Sequence, residues 1–409
     1  MIKSISQTGF VMGVSFLLSM LATLILGNQM SPEAFGDFAL LKNFVLIGST
    51  FAIFGMDQGT IRNNVNGRPA ISLTIVNIVS FILSAFFALS IKGLFSLSFN
   101  NTFYLWGIIF CGSNVIYLAA IHRLKNQFFK AQFIHNCWKI LLFIVVALAF
   151  LFDFIIKIDF IYKALFYSML VVIFIHYLLE RIGKKDHQIK TDDFVQGSAI
   201  RDGIILWMIN VLGLIFAGMD RFIIPTITSK AVLGTYYAIS FIYITGFTMI
   251  GSAVGYVIFP YLSKNEDIEW KKPTKFIFLI LVILFVGLLL SGHFITSILF
   301  SGKYDVALLH QITTPILIMG VIQCFHTIFH FYIYAKSPKQ MLMKYIIFLL
   351  FFCLFYFVSF YVMNNFIQYS LQSLVNHISV IWMLKIIMAM IMIYFITKNS
   401  SLAIRAKQN

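Results

Sequence analysis

The sequence predicts an all-α integral membrane protein with about twelve transmembrane helices, arranged as two parallel six-helix bundles around a central cavity. Long apolar runs, a scarcity of charge and an internal repeat support this class. Hydrophobic residues make up 60% of the 409-residue chain and charged residues only 11%, whereas about a quarter of the residues in soluble domains are charged. The polar residues lie between apolar runs that reach the roughly 20 residues needed to cross a bilayer.

The spans are predicted to be helices because lipid cannot satisfy open backbone groups, which leaves helices or closed barrels. Barrel strands alternate apolar and polar residues over about 10 positions, whereas stretches such as FIFLILVILFVGLLLSG are apolar throughout. The apolar run near the N-terminus is interpreted as the first span, since no small-residue cleavage site follows it. The predicted spans lie near residues 9–30, 35–57, 70–91, 101–122, 137–152, 159–180, 201–225, 231–262, 274–300, 308–335, 341–364 and 376–397.

The prolines agree with these boundaries. Six of the seven prolines fall at or between predicted span ends, where the missing amide costs least: Pro32, Pro69, Pro225, Pro260, Pro273 and Pro338. The seventh, Pro315, lies inside the tenth span and predicts a kink there.

Lysine and arginine set the predicted orientation. Most of the 30 lysines and arginines lie on the side of the two termini, and six lie in loops on the other side: Lys92, Lys157, Lys163, Arg221, Lys230 and Lys303. The positive-inside rule therefore places both termini in the cytoplasm. The formal net charge of +15 is then explained by topology and by contact with anionic membrane lipids. No fold or motif suggests a nucleic-acid partner.

The short loops direct attention to the spans themselves. No predicted outer loop exceeds about a dozen residues, so no extramembrane lobe is expected to carry enzymatic chemistry. The four cysteines are scattered without metal or redox spacing and are interpreted as packing residues: Cys111, Cys137, Cys324 and Cys353. We expect no metal site, no cofactor and no catalytic residue.

A repeat links the two halves of the chain. MSPEAFGDFALLKNF, residues 30–44, aligns with TSKAVLGTYYAISFI, residues 228–242, with Ser31 opposite Ser229 and Phe38 opposite Tyr236. Each copy follows one span and opens the next, and the copies are six spans apart. Because six is even, the halves enter the membrane with the same polarity, which is typical of transporters built from parallel repeats. The predicted bundles are residues 1–185 and 201–409, joined by a cytoplasmic linker at 186–200.

Several segments are similar to those of a known family: SPEAFGDFALL after the first span, FGMDQGTIR ending the second, MDRFII and LGTYYA around the seventh, and YVIFPYLSK closing the eighth. Together they resemble the polysaccharide flippases, of O-antigen (Wzx) type, in the multidrug/oligosaccharidyl-lipid/polysaccharide exporter superfamily. The resemblance implies a bacterial inner membrane protein that moves an undecaprenyl-diphosphate-linked oligosaccharide to the periplasmic leaflet by alternating access. It implies other polysaccharide assembly proteins as partners and a proton or sodium ion as the candidate coupling ion.

Such a substrate needs cations and hydrogen-bonding groups at membrane depth, where charges are costly and therefore informative. Lys42 and Asn43 lie about two turns inside the second span. We expect Lys42 to face the cavity, and its alternative role is snorkelling to the outer interface. Asp220 and Arg221 are predicted to end the seventh span, either as an interfacial pair or at the outer mouth of the cavity. The resemblance favours the second role.

Other candidates lie deeper or on the cytoplasmic side. Arg62, Arg123 and Lys139 are predicted to border the second, fourth and fifth spans, where they would meet the incoming diphosphate or simply follow the positive-inside rule. Lys385 lies near mid-depth in the last span and cannot easily snorkel.

Three further polar residues lie within spans. His326 and His330 share one helix face, which suits proton coupling, sugar contact or polar packing. No third metal ligand accompanies them. Asn210 is suited to sugar hydroxyls or to bridging helices.

Two other functions stay open at this point. A drug/cation antiporter of the same superfamily would have the same twelve spans, but such proteins usually keep a buried acid in the N-terminal half, and here the first six spans offer only Asp57, at the cytoplasmic end of the second. A membrane glycosyltransferase or polysaccharide polymerase would need a substantial outer loop, which the sequence lacks.

Overall fold

The structure is a computed structural model of the chain. It describes residues 2–65, 71–125, 127–182, 196–263, 271–303, 306–337, 339–366 and 369–408. Of Arg62, one of the predicted site residues, only the backbone is described.

The regular structure of the described residues is entirely helical. The thirteen helices are α1 (Ile2–Gln29), α2 (Pro32–Ala52), α3 (Met56–Val65), α4 (Leu73–Phe95), α5 (Phe99–Leu124), α6 (Phe128–Leu151), α7 (Ile158–Ile182), α8 (Gln196–Ile227), α9 (Lys230–Ser263), α10 (Lys271–Leu299), α11 (Val306–Lys336), α12 (Lys339–Asn364) and α13 (Leu371–Gln408). Twelve of them are long and apolar enough to cross a membrane, and α3 is the short exception. The predicted all-α membrane fold with about twelve spans is therefore confirmed.

The chain divides into two compact units, Met1–Gly218 and Met219–Asn409, with the division inside α8. In the first unit α5 packs against α2, α4, α6 and α7. In the second unit α11 packs against α9, α10 and α13. These two central helices are the fourth and tenth spans, so equivalent spans of the repeat occupy equivalent packing positions in their own units.

The repeated sequence builds the same local structure in both units. Ser31 caps α2 by accepting a hydrogen bond from the backbone N–H of Ala34 at 3.2 Å. Its counterpart Ser229 accepts one from the backbone N–H of Val232 at 3.3 Å at the start of α9. A side-chain oxygen at this position satisfies an amide that the helix cannot. The repeat is therefore a structural one as well as a sequence match.

The second span differs from its prediction, because α2 ends at Ala52 rather than near residue 57. Phe54 and Gly55 have φ of 51° and 72°, left-handed values that end a right-handed helix. The carbonyls exposed near this end are satisfied by Trp207 of α8, whose indole N–H donates to Thr50 O at 3.0 Å and Phe51 O at 3.1 Å. The short helix α3 follows the break.

One other span end was placed wrongly, at the start of the fifth span. The fifth span begins at Phe128 and not near residue 137, because polar residues that had been assigned to a loop lie inside α6. The seventh span continues through Pro225 to Ile227, since a proline this close to a helix end removes little hydrogen bonding. Pro315 lies inside α11, where the kink stays a prediction.

We expect the contact between α8 and the break after α2 to tolerate no side chain at Gly203. A Cβ there would lie 2.2 Å from the carbonyl oxygen of Gly55, which is backbone and cannot move aside. Gly203→Ala should therefore lower the free energy of unfolding by about 1–3 kcal/mol, as overpacking does. Thermal unfolding of the purified protein measures this.

The matched control is Gly93→Ala, because a Cβ at Gly93 meets nothing within 4 Å. Alanine is favoured over glycine inside a helix by about 1 kcal/mol, so this variant should be neutral or more stable. Equal melting temperatures for the two variants would contradict the close-approach account.

Candidate functional site: buried charge in each unit

Lys139 lies deeper than its sequence position suggested. It is eleven residues beyond the start of α6 at Phe128, about 16 Å along the helix axis, and twelve residues before the end at Leu151. The prediction that it borders the cytoplasm is wrong for the same reason that the fifth span was placed wrongly. A lysine at the middle of a membrane helix requires polar groups beside it.

A polar face on α6 provides these groups for Lys139. Gln132, Asn136 and Lys139 follow each other at spacings of four and three residues, so they share one side of the helix. The Asn136 side-chain amide donates to the Gln132 carbonyl at 3.0 Å and to its side-chain oxygen at 3.1 Å. The Lys139 ammonium then donates to Asn136 Oδ1 at 2.8 Å. The three side chains form a continuous hydrogen-bonded row that ends on a cation.

Lys42 of α2 faces the same region. It is ten residues beyond Pro32, about 15 Å along α2, and its ammonium lies 5.6 Å from the centroid of the Phe38 ring. It interacts electrostatically with Lys139. Two lysines, each near the middle of its own helix, therefore interact electrostatically, and their combined charge repels cations and attracts anions.

Four helices of the first unit contain no acidic residue. Helices α1, α4, α5 and α6 contain none, and the acids of α2, Glu33 and Asp37, lie near its start. These four helices therefore add no negative charge to the interior of the first unit. We call Lys42, Lys139, Asn136 and Gln132 the lysine site.

Asn43 contributes to packing next to this site. Its side chain is 1% exposed and donates a hydrogen bond to the carbonyl of Gly218 at 3.0 Å. A Cβ at Gly218 would lie 2.1 Å from Asn43 Oδ1, so the two helices touch closely here. This contact gives Asn43 a role in joining α2 to α8, and its predicted contact with substrate stays a prediction.

The remaining candidates of the first unit lie apart from the lysine site. Arg123 is half-buried at the end of α5 and interacts electrostatically with Asp57 of α3. Burial raises the pKa of the Asp57 carboxyl, against the opposing effects of hydrogen bonds from Gln58 and of the Arg123 charge. Asn210 is half-buried in α8. The Arg62 side chain lies outside the described residues.

In the second unit Asp220 is deeply buried rather than placed at a helix end. It is 4% exposed and lies seven residues before the end of α8 at Ile227, about 10 Å along the axis. One carboxylate oxygen accepts the Tyr236 hydroxyl at 2.6 Å, and the other accepts the backbone N–H of Arg221 at 2.9 Å. The alternative of an exposed interfacial pair is therefore wrong for Asp220.

Arg221 is half-buried, with its guanidinium carbon 5.2 Å from the centroid of the Tyr237 ring. It also interacts electrostatically with Asp220. Tyr236 and Tyr237 come from the repeated segment at the start of α9. The repeat thus supplies the aromatic groups that hold the Asp220–Arg221 pair.

Lys385 and the two histidines form the deeper part of this cluster. Lys385 is 5% exposed, and its ammonium lies 5.2 Å from the centroid of the Trp382 ring. It interacts electrostatically with Asp220, His326 and His330. His330 Nδ1 lies 3.4 Å from the Tyr345 hydroxyl. We call Asp220, Tyr236, Lys385, His326 and His330 the acid–lysine cluster.

Sequence reasoning separated residues that the structure brings together. It did not select Gln132 and Asn136, although their spacing from Lys139 carries a helical signal. It also did not connect Asp220 with Lys385, because these residues come from distant helices and no local pattern relates them. Each lysine was selected as a candidate site residue from its charge or its depth in a span. The residues that interact with it are determined by the tertiary fold.

Comparison with known proteins shows which solved structures share the fold of this chain. The sequence matches no protein-family model and no curated protein. Its structure is similar to an outward-facing multidrug resistance MATE family transporter of the MOP superfamily, with 16% identity, 98% of this chain and 96% of the other covered, and a TM-score of 0.67. An inward-facing transporter of the same description has 13% identity, coverages of 94% and 96%, and a TM-score of 0.63.

A third similar structure is described as the lipid II flippase MurJ in an inward closed conformation. Its sequence is 15% identical, 95% of this chain and 87% of the other are covered, and the TM-score is 0.60. The chain therefore has the fold of MOP superfamily transporters across nearly its whole length. These similar proteins are transporters and a flippase, and identities this low speak for the fold alone.

We expect Tyr236→Phe to destabilise the second unit. The change removes the O–H that donates to the buried Asp220 carboxylate, and an unsatisfied buried acceptor costs about 1–3 kcal/mol. Thermal unfolding should show the loss, while Tyr361→Phe, at a residue 68% exposed, should stay within about 0.5 kcal/mol. A Tyr236→Phe protein as stable as its control would contradict a stabilising role for this hydrogen bond.

Proposed function

We propose that the protein is a flippase. Its substrate would be an undecaprenyl-diphosphate-linked oligosaccharide, an O-antigen or related surface polysaccharide repeat unit, which crosses from the cytoplasmic to the periplasmic leaflet by alternating access. The observation that supports this proposal best is the lysine site, where Lys139 ends a hydrogen-bonded polar row near the middle of α6 and interacts electrostatically with Lys42 of α2.

The chemistry of the lysine site suits such a head group. A diphosphate is anionic throughout the physiological pH range, and ammonium groups bind phosphate oxygens through charge-assisted hydrogen bonds. Bringing a diphosphate between Lys42 and Lys139 would relieve the repulsion between them. The side-chain amides of Gln132 and Asn136 lie beside the cations and offer donors and acceptors to sugar hydroxyls.

The fold is consistent with this function. One structure that shares it is described as a lipid II flippase, so the architecture accommodates a lipid-linked substrate in at least one protein. The candidate partners are accordingly the lipid-linked oligosaccharide, membrane lipids and other polysaccharide assembly proteins. A bacterial inner membrane location with both termini in the cytoplasm, and bundles at 1–185 and 201–409, belong to the same proposal.

A drug/cation antiporter is the second candidate, favoured by the similarity to multidrug resistance MATE family transporters. The positive charge of the lysine site argues against an antiporter of cationic drugs. A cationic drug entering the first unit would meet Lys42 and Lys139, whereas Asp57 lies in the short helix α3 outside the spans. The site is of the wrong sign for a cation.

The test of the flippase proposal is binding of undecaprenyl diphosphate to the purified protein. We expect Lys42→Met and Lys139→Met each to weaken binding by at least about tenfold, because each removes one charge-assisted hydrogen bond worth about 1.5–3 kcal/mol. The protein's thermal stabilisation by increasing lipid concentrations gives the affinities.

The matched control is Lys130→Met, which removes the same charge from an exposed residue at the start of α6. Its affinity should equal that of the wild type. Equal weakening in all three variants would indicate a general effect of net charge, and unchanged affinity in Lys42→Met and Lys139→Met would remove the lysine site from the route.

The antiporter alternative predicts the opposite response to charge. If cationic drugs were the substrate, Lys42→Met and Lys139→Met would strengthen their binding by removing repulsion, and the wild type would protect cells from such drugs. We expect no protection of drug-sensitive cells by the wild-type protein, measured as the growth-inhibiting concentration of a lipophilic cation such as ethidium. Clear protection would favour the antiporter.

A further inference from the structure

One polar side chain of α6 is exposed on a side of the helix that is otherwise packed. Leu142 and Val146 lie seven and eleven residues beyond His135, which is about two and three turns, so the three residues share one side of α6. Leu142 and Val146 are buried, whereas His135 is exposed. The protein therefore leaves an opening at the level of His135 and closes over the same side of α6 further along.

This opening is not on the lipid-facing side of α6. That side is marked by exposed apolar residues at Phe129, Phe133, Ile144 and Leu148. His135 comes two residues after Phe133 and is therefore about 200° further around the helix. Ionisable side chains within membrane spans almost always face the protein interior or a water-filled cavity, because contact with lipid is costly for them. We therefore expect water in the opening beside His135.

The opening lies next to the lysine site. Lys139 comes four residues after His135, so the two side chains are neighbours on the helix surface, with about 6 Å between their Cβ atoms. Lys139 is only half-buried, and it ends the hydrogen-bonded row of Gln132 and Asn136. The charge of Arg123, at the end of α5, also acts on His135. These neighbouring groups are positive or neutral, which suits an anion.

The chemistry of the imidazole matches that of the lysine beside it. A neutral imidazole carries one N–H donor and a charged one carries two. A phosphate oxygen accepts hydrogen bonds from such donors and from ammonium groups. An anion with several oxygens, such as a phosphate or a diphosphate, can therefore contact His135 and Lys139 together.

We propose that His135 binds the phosphate or diphosphate group of an anionic substrate together with Lys139, in a water-filled opening on the interior side of α6. His135 lies about 10 Å along α6 from Phe128, one turn nearer the start of the helix than Lys139. In the proposed orientation the start of α6 is its cytoplasmic end, so a head group from the cytoplasm reaches the imidazole before the ammonium. The inference rests on the proposed function and adds to it a binding residue and an order of contacts.

The opening is tested with His135→Cys in the full-length purified protein, by its reaction with a negatively and a positively charged methanethiosulfonate reagent. Each rate is divided by the rate of the same reagent with a free thiol. The negatively charged reagent should then react at least about threefold faster, because a unit charge about 6 Å away in water changes a rate by about this factor. The ratio is measured because a nearby ammonium also favours the thiolate, which speeds both reactions alike. Lys139→Met in addition should remove most of the preference.

Two controls accompany this measurement. Phe133→Cys places the thiol at an exposed position on the lipid-facing side and should react slowly with both charged reagents. The wild type gives the background, since its four cysteines are buried or half-buried. If His135→Cys reacts no faster than Phe133→Cys, the opening holds no water and the proposal is overturned. Equal normalised rates of the two reagents would overturn the assignment of the opening to an anion.

Binding in the opening is tested by protection of His135→Cys from a neutral methanethiosulfonate reagent. The two probes are undecaprenyl diphosphate and inorganic pyrophosphate, with chloride at equal ionic strength as the control. Slower reaction with the lipid supports both this inference and the flippase proposal. Slower reaction with pyrophosphate alone supports the diphosphate site and contradicts a lipid-linked substrate. Protection by neither probe overturns the inference, whereas binding of the lipid to the wild type would still leave the flippase proposal standing.

The contribution of the imidazole is measured as the affinity for the probe that protects. His135→Leu should weaken binding by about tenfold, as the loss of a hydrogen bond to a charged group does. His135→Gln keeps an N–H donor and should weaken binding less. The matched control is His310→Leu, the same change at an exposed residue of α11, which should bind as the wild type does. Equal affinities of His135→Leu and this control would overturn the role of the imidazole.

Discussion

Lipid offers no hydrogen bonds and no counter-charges, so each charge or open carbonyl inside these helices must find its partner within the protein. This constraint explains the contacts that join distant segments. The break after α2 leaves carbonyls that Trp207 of α8 satisfies, and the Asp220 carboxylate is held by Tyr236 of α9. The lysine site obeys the same rule through the side-chain hydrogen bonds along α6.

Much of the fold could be predicted from the sequence, because hydropathy and length together define a membrane span. The class, the number of spans and the repeat follow from that signal, and the caps at Ser31 and Ser229 show that the repeat has a structural basis. The ends of the spans were harder to predict from the sequence. Polar residues at the start of α6 resemble a loop in the sequence, yet they lie in the helix because their hydrogen bonds are made to each other. The electrostatic interactions of Lys42 with Lys139, and of Asp220 with Lys385, depend on tertiary packing that no local pattern encodes.

The two units differ in the side chains that surround their buried charges. In the first, two lysines near the middle of their helices interact electrostatically, and Lys139 ends a row of hydrogen-bonded polar side chains. In the second, the buried Asp220 carboxylate accepts a hydrogen bond from the Tyr236 hydroxyl and interacts electrostatically with Arg221 and Lys385. The proposed function therefore rests on the first unit, where an anionic substrate would offset the repulsion between the two lysines.

The central claim is translocation of a lipid-linked oligosaccharide, and the most direct measurement is its leaflet distribution in a bacterium depleted of this protein. An impermeant reagent that modifies sugars reports the fraction exposed on the periplasmic face. The account predicts accumulation on the cytoplasmic leaflet, reversed by re-expression of the wild type. Normal periplasmic exposure in depleted cells would contradict it.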